Sequence, residues 1–383
     1  MRDVVVVGGG PVGIFAGCLL ASAGLDVEVV EQREAPSMRS RAIGIHPPSL
    51  TALERIGVIG DFIERAVKIR GGRVRCEGKD LGRLSFAEAG SRHAFVAALP
   101  QYETEALLRA RFEELRPGGL RQGSRVTAVH ERSDRVDLAL AGPEMISARY
   151  VIAADGARSV VREAVGVGWF PLGRTETYLM GDFPDTTSQG DEAVLYFERE
   201  GVVESFPLPD GRRRWVAMTD GLRTNSSSAD LAGIIRSRTG VDLLSSADPA
   251  SPFRVTQHLA SGMVVGRVVL IGDAAHEISP IGGQGMNLGW LDAVALAPVL
   301  QGAFHTAGQS GAIEGAAVTR ALAEFERRRR RAARMAARQA AFNMSMGRPA
   351  GGFRLRARNG VVRVLSAPPF RGLLARAFTM RWL

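Results

Sequence analysis

The sequence predicts an α/β chain: an open-sheet domain entered three times, a mostly antiparallel β-sheet domain inserted between the visits, and helices toward the C-terminus. Three observations support this. A short apolar strand, DVVVV (3–7), meets a glycine-spaced turn and an apolar helix almost at the first residue. The same order of strand, sharp turn and helix returns in RYVIAADGARSVVREAVG (149–166) and in RVVLIGDAAHEISPIGGQGMNLGWLDAVALAPVL (267–300). Between these returns, short alternating stretches bounded by turn residues take over, the pattern of half-buried strands. A chain of 383 residues has room for two or three domains.

Taken in order, PVGIFAGCLLASAG (11–24) reads as a helix ended by Gly24, and LDVEVVE (25–31) as the second strand of a β-α-β unit. A loop follows, then a helix from about Ser49 that Gly57 stops. GRVRCEG (72–78) and RLSFAEAG (83–90) are hairpin material. PQYETEALLRARFEELRPGG (100–119) returns to a helix with Leu107, Leu108 and Phe112 on its apolar face, followed by strands SRVTAVHER and RVDLALAG. EAVLYFEREGVVESFPLPDGRRRWVAMTD (192–220) alternates and carries an Asp210-Gly211 hairpin signal. From about Gly311 the chain is helical. The expected boundaries are 1–70, 100–168 and 262–345 for the discontinuous open-sheet domain, 71–99 and 169–261 for the inserted sheet, and 346–383 for a C-terminal helical segment.

Composition narrows the class. Apolar residues at 45% and charged residues at 23% are those of a globular chain rather than a disordered one. The net charge of +9 rests almost wholly on arginine, since Lys68 and Lys79 are the only lysines; read as scattered along the chain, it argues for no nucleic-acid partner. Cys18 and Cys76 make no disulfide framework, and the scattered histidines have no ligand spacing, so no metal is expected. No run reaches the roughly 18 apolar residues of a transmembrane segment, and no cleavable leader is visible. A cytoplasmic setting is expected.

Gly8, Gly10 and Gly13 form G-x-G-x-x-G between strand and helix, with Pro11 and Val12 opening that helix. The first glycine permits the turn, the second lets a pyrophosphate approach the backbone, and the third lets helix and strand pack closely. Glu31 ends the second strand, where an acceptor holds a ribose hydroxyl, and Gln32 and Arg33 follow it. This motif alone does not separate FAD from NAD. Asp273, after Gly272 at the end of strand RVVLI, is placed to accept hydrogen bonds from a polyol chain, which a flavin has. Pro280, Gly283, Gly285, Met286 and Asn287 then bring small residues and free amides to a helix start suited to a negatively charged ring edge. Asp155, Gly156 and Ser159 in ADGARSVVR form the third element; a simple helix cap explains them equally well.

The three elements together, the N-terminal glycine motif, D-G-x-x-S-x-V-R and G-D-A-A-H-x-x-x-P-x-x-G-Q-G-x-N, resemble the single-component FAD-dependent aromatic hydroxylases of the para-hydroxybenzoate hydroxylase type, over roughly residues 1–345. The resemblance implies a Rossmann-like FAD-binding domain with tightly but non-covalently held FAD. It assigns the ADP half to Gly8, Gly10, Gly13 and Glu31, and the ribityl chain to Asp273. The flavin pyrimidine edge would meet Gly285, Met286 and Asn287. Arg41 and Gln101 resemble further cofactor contacts, and Asp155 with its neighbours would meet both FAD and NADPH.

The resemblance also implies NADPH or NADH as a transient reductant, O2 as co-substrate, and a C4a-hydroperoxide that hydroxylates an aromatic or polyketide-like small molecule. Tyr178, Met180, Glu204 and Phe206 are candidate substrate contacts on the inserted sheet; His276 and Pro280 are candidate catalytic residues, and no base is named. An epoxidase or reductase of an isoprenoid or quinone pathway, or a non-catalytic FAD-binding protein, remain alternatives, as do monomer and homodimer. Larger members of that family carry a thioredoxin-like C-terminal domain, for which this chain is expected to be too short. The run Arg327–Arg331 and the stretch RGLLARAFTMRWL read as a solvated helix face, with peripheral membrane contact as a second reading.

Overall fold

Val4, Val5, Val6 and Val7 are all buried, so the strand that holds them, Arg2–Val7, must lie inside a sheet covered on both faces. The computed structural model, which describes residues 1–37, 42–90, 92–244, 246, 248–280, 282–310, 316–368 and 370–381, places it there. It pairs in parallel with Val27–Val30 on one side and Met145–Ala153 on the other. Val268–Leu270 extends the sheet beyond Met145–Ala153, and Leu120–Arg121 extends it beyond Val27–Val30, again in parallel. An antiparallel annex, Val126–Glu131 with Val136–Leu140, hangs from Met145–Ala153. Helices Pro11–Ser22, Gln101–Leu115 and Gln284–Ser310 cover the sheet. Because the strands run the same way, Gly8, Glu31, Asp155 and Asp273 all emerge at their carboxyl ends, on one edge, where open α/β sheets bind ligands.

The second sheet has eight strands in the order His276–Glu277, Ser251–Ala260, Trp169–Pro184, Arg212–Thr219, Gly201–Leu208, Ala193–Glu198, Gly71–Cys76 and Lys79–Ser85. All but one of these pairings are antiparallel among the described residues; Ala193–Glu198 runs parallel to Gly71–Cys76. Asp210 and Gly211 sit at the hairpin tip with φ of 60° and 62°, the left-handed conformation that an Asp-Gly pair tolerates. The alternation in sequence usually marks one dry and one wet face, but this sheet is dry on both. Leu179, Val203, Trp215 and Ala217 pack on Leu231 and Ile235 of helix Ser228–Thr239. Met180, Val202 and Val216 point the other way, toward Met344, Leu355 and Val362 of the C-terminal helices. A small third sheet joins Val96–Ala98 to Gly44–Ile45 and Val67–Ile69.

Helices Ala316–Gly347, Gly352–Ser366 and Arg371–Phe378 complete the chain. The first is fixed by a buried charge cluster. Asp292 accepts from Arg329 Nε (2.7 Å), His276 Nε2 (2.6 Å) and the Gly272 amide (3.0 Å). Burial pushes the Asp292 carboxyl up, yet the facing His276 and Arg329, with the hydrogen bonds from His276 and the Gly272 amide, outweigh it and hold the carboxyl below its usual range. The unfolded chain restores an ordinary value near 4. The cluster's contribution is therefore present above about pH 4 and fades as acid carries the pH down through the folded value. Arg329→Met removes one partner and leaves a buried carboxylate under-compensated. A loss of about 3–5 kcal/mol is expected, read from denaturant unfolding at pH 7, and the deficit should narrow toward pH 3; an unchanged midpoint would rule out this role.

Candidate functional site

The glycine turn is built by close approach. Gly8 has φ of +108°, and a Cβ there would lie 2.4 Å from the Ala154 carbonyl oxygen; a Cβ on Gly13 would lie 1.9 Å from the Gly8 carbonyl oxygen. Helix Pro11–Ser22 can therefore start directly against the strand edge only with hydrogen at both positions. Gly10, the N-cap, differs: its backbone is extended, no side chain caps the helix, and nothing lies within 4 Å of its added Cβ. It opens onto space beside unsatisfied helix amides, the arrangement that suits a phosphate.

Glu31 accepts from the Gly9 amide (2.7 Å) and from Arg33 N and Nε (2.9 and 3.0 Å). Burial raises its pKa, but the bonds from Arg33 and Gly9 prevail and keep the carboxyl below its ordinary range. Arg109, which the sequence reading missed, donates Nη2 to the Gly9 carbonyl (2.9 Å). Its Nε and Nη1 are buried without a hydrogen-bond partner among the described residues.

A cavity of about 1720 Å³ runs from this turn to the second sheet. Ligand pockets usually span about 300–1,000 Å³, so this one has room for two molecules. Its wall includes Gly8, Gly10, Pro11, Val12, Glu31, Gln32, Arg33, Gln101, Asp155, Gly156, Asp273, Pro280, Gly283, Gly285 and Met286, and at the far end Met180, Glu204 and Phe206. Gln101 donates Nε2 to Glu105 (2.9 Å). Asp155 accepts from the Val161 amide (3.2 Å) through one oxygen, while the other is buried without a hydrogen-bond partner among the described residues. Burial sets its carboxyl above the usual range despite help from Ser159 and nearby amides.

Five residues expected at the site stand behind the wall. Gly13 and Gly272 are packing positions, the latter with φ of +59° against Val12. Asn287 is fully buried; its Oδ1 accepts from the His46 amide (2.9 Å), and its Nδ2 donates to the carbonyls of Gly44 (2.8 Å) and Gly283 (2.6 Å). It clamps the 44–46 segment to the start of helix Gln284–Ser310. His276 is fully buried on Asp292. Tyr178 donates its hydroxyl to Glu176 (2.8 Å), which also takes Arg348 Nε (2.6 Å), and burial with the neighbouring carboxylates pushes the phenol far up. Arg41 lies outside the described residues.

His46 was also missed by sequence reading. It lines the cavity, its Nε2 faces the Gly282 carbonyl (2.9 Å), and its buried Nδ1 has no hydrogen-bond partner among the described residues. Burial pushes its pKa down to about 4 against the weaker effect of that carbonyl. The ring is neutral at pH 7, and because a carbonyl only accepts, Nε2 carries the proton and Nδ1 offers a lone pair. Trp169, held between the Arg162 guanidinium (3.9 Å) and the stacked His258 ring (5.2 Å), forms another unforeseen part of the wall.

At the far end, one cross-strand row reads Leu195, Glu204, Val216 and Met180, all on the cavity. A single carboxyl thus sits amid apolar neighbours. Burial alone pushes its pKa up to about 7, so at neutral pH much of the population is the neutral acid, able to donate as well as accept.

Residues 1–340 match the family described as FAD binding domain. This chain belongs to that family. Curated relatives of this FAD-binding chain include rifampicin monooxygenase of Streptomyces venezuelae, 36% identical over 308 residues that cover 77% of this chain and 63% of that protein. Pentachlorophenol 4-monooxygenase of Sphingobium chlorophenolicum is 31% identical over 310 residues, covering 76% of this chain and 57% of that protein. This chain spans about three-fifths of the length of the first such relatives. Among solved structures, p-nitrophenol 4-monooxygenase PnpA of Pseudomonas putida DLL-E4 superposes with a TM-score of 0.85 at 25% identity, covering 100% of this chain and 97% of that one.

FAD fits the residues present: an open Gly10 cradle, uncapped helix amides, and buried polar atoms of Asp155, Arg109 and His46 that lack hydrogen-bond partners among the described residues. Gly10→Ala separates the cradle from the fold. With an extended backbone and no neighbour within 4 Å, the variant should lose only about 1 kcal/mol, the cost of alanine in place of glycine at an N-cap. FAD affinity, titrated by flavin fluorescence, should fall by tenfold or more, because the added methyl occupies the phosphate's approach; equal affinity would remove Gly10 from the site.

Proposed function

We propose that this chain is a flavin-dependent monooxygenase that hydroxylates a neutral or weakly acidic aromatic or polyketide-like ring. In net terms a ring C–H becomes C–OH with one atom of O2. The other oxygen atom leaves as water, taking up the hydride equivalent of NAD(P)H, two electrons and one proton, and a further proton from solvent. The single observation that carries this is one continuous cavity, with a phosphate-type glycine cradle at one end and an apolar wall holding one near-neutral carboxyl at the other. The names of relatives, among them rifampicin, anhydrotetracycline and pentachlorophenol monooxygenases, support it.

The cofactor assignment follows the wall. The adenosine ribose belongs at Glu31, with Gln32 and Arg33 beside it; the pyrophosphate at Gly8, Gly10, Pro11 and Val12; the ribityl chain at Asp273 with Gln101. The ring edge belongs at Pro280, Gly283, Gly285 and Met286, where the start of helix Gln284–Ser310 turns its amides toward developing negative charge. Bound FAD supplies the two-electron chemistry through which O2 reacts. The protein's residues do the rest. Leu195, Met180, Val216 and Phe206 exclude water from the reacting ring. Glu204 anchors a substrate oxygen, donating while protonated, and the neutral His46 accepts through Nδ1. His276 holds the Gly272 turn through Asp292 and does no chemistry.

Purified protein should be yellow with FAD, oxidise NADH or NADPH faster when a phenolic or polycyclic substrate is added, and place one atom of 18O2 in the product. Colourless protein, or turnover without label, would overturn the reading; the latter is what a reductase predicts. Glu204 supplies a sharper check. Its folded pKa of about 7 exceeds the ordinary value near 4.3. The folded state therefore binds the proton more tightly, and stability declines as pH rises from about 4 to 7, then levels. Glu204→Gln should relieve this, gaining up to about 3 kcal/mol at pH 8 and almost nothing at pH 4. It should also abolish a substrate-binding inflection near pH 7. A native-like pH profile in the variant would exclude Glu204 from the substrate wall.

A further inference from the structure

The arginine excess, read from composition as spread along the chain, is concentrated at one end. The 57 residues from Arg327 onward hold fifteen arginines and no aspartate or glutamate, which leaves the first 326 residues with 34 basic and 40 acidic side chains, a net −6. Some of these arginines are engaged by the chain itself: Arg329 on Asp292, Arg348 on Glu176, Arg371 on Glu88, and Arg358 on the Phe197 and Glu198 carbonyls. Others face outward. Arg331, Arg334 and Arg338 recur at helical spacing on Ala316–Gly347, and Arg354, Arg356 and Arg363 are exposed on Gly352–Ser366. None of these six forms an ion pair among the described residues.

Five of the eleven exposed large apolar side chains among the described residues lie in the same place. Phe353 is 84% exposed, Val361 45%, Val364 56%, Phe370 46% and Leu373 70%. Positions 353, 357, 361 and 364 fall on one side of helix Gly352–Ser366, bordered by Arg354 on one flank and Arg356 and Arg363 on the other. The opposite side buries Leu355 and Val362. Val362 and Leu365, with Leu374 and Phe378 of the next helix, line the cavity. A wall one helix thick, apolar within and apolar without, separates the cavity from the exterior.

We propose that helices Gly352–Ser366 and Arg371–Phe378 dock on the surface of an anionic lipid bilayer, with the Phe353, Val361, Val364 and Leu373 ridge at the acyl boundary and the flanking arginines on lipid phosphates. Charge selects this occupant. A second copy would bring two basic faces together, and a nucleic acid has no use for an aliphatic ridge, whereas an interfacial helix needs both features. No described helix is long and apolar enough to cross a membrane, so the helices lie in the surface. The placement puts the cavity beside the bilayer, a source of lipophilic rings. It stands independently of the monooxygenase reading.

The test is flotation of the full chain with vesicles of phosphatidylcholine alone or mixed with phosphatidylglycerol. The protein should float only with the mixed vesicles and be released by high salt. Arg354→Gln with Arg356→Gln and Arg363→Gln should weaken partitioning on the order of 100-fold. Val361→Asp with Val364→Asp should abolish flotation. Both variants change exposed side chains only and should keep native circular dichroism and Tm, which separates lost docking from lost folding. Equal flotation with neutral vesicles, flotation unchanged in either variant, or no flotation overturns the proposal. So does a dimer in light scattering that the aspartate variant splits, or displacement from anionic vesicles by stoichiometric duplex DNA.

Discussion

The contact on which the rest depends is the one between Gly13 and the Gly8 carbonyl. There is no room for a methyl group between them, and that closeness lets a helix begin against the end of a parallel strand instead of a loop's length away. The uncapped amides of Pro11–Ser22 then face the same crevice as Glu31, Asp155 and Asp273, each delivered by its own strand. Arg109 braces the turn by taking the Gly9 carbonyl, which keeps neighbouring amides turned toward the crevice. Sheet direction, helix dipole and carboxylate placement are therefore one arrangement rather than three.

The two ends of the cavity solve opposite electrostatic problems. At the glycine turn, charge is stabilised: Glu31 is ionised by Arg33 and backbone amides. At the sheet, charge is discouraged: Glu204 is drawn toward its neutral form by its apolar neighbours, and His46 between them is kept neutral by burial. The first environment suits a phosphate-bearing cofactor, and the second suits the largely uncharged ring proposed above as substrate.

Much of the first end was legible in sequence, because its chemistry is local. Strand, glycine spacing and helix start lie close together in sequence, and Glu31, Asp155 and Asp273 each fall within three residues of the end of a strand. The second end was legible only in outline. A one-residue change of register would exchange Met180 with Leu179 and Glu204 with Val203, so alternation alone could not say which set faced the ligand. Asn287 and His276 sit in that motif yet turn away from the cavity: Asn287 onto the backbone of the distant 44–46 segment, and His276 onto Asp292, 16 residues on in the following helix. His46 gave no signal: its ring matters through Gly282, 236 residues later. The clustering of arginines was in plain view, but its meaning depended on which side of each helix the structure buries.

The inserted sheet, dry on both faces, divides labour along each strand. Leu179, Val203, Trp215 and Ala217 fasten it to a helix, while Met180, Val202, Glu204 and Val216, one step along, shape the chamber. The pleat thus separates the face that holds helix Ser228–Thr239 from the face that lines the chamber, where Met180, Val202 and Val216 also seat the C-terminal helices. A substitution at Glu204 can therefore alter the chamber while the residues that hold helix Ser228–Thr239 stay as they are.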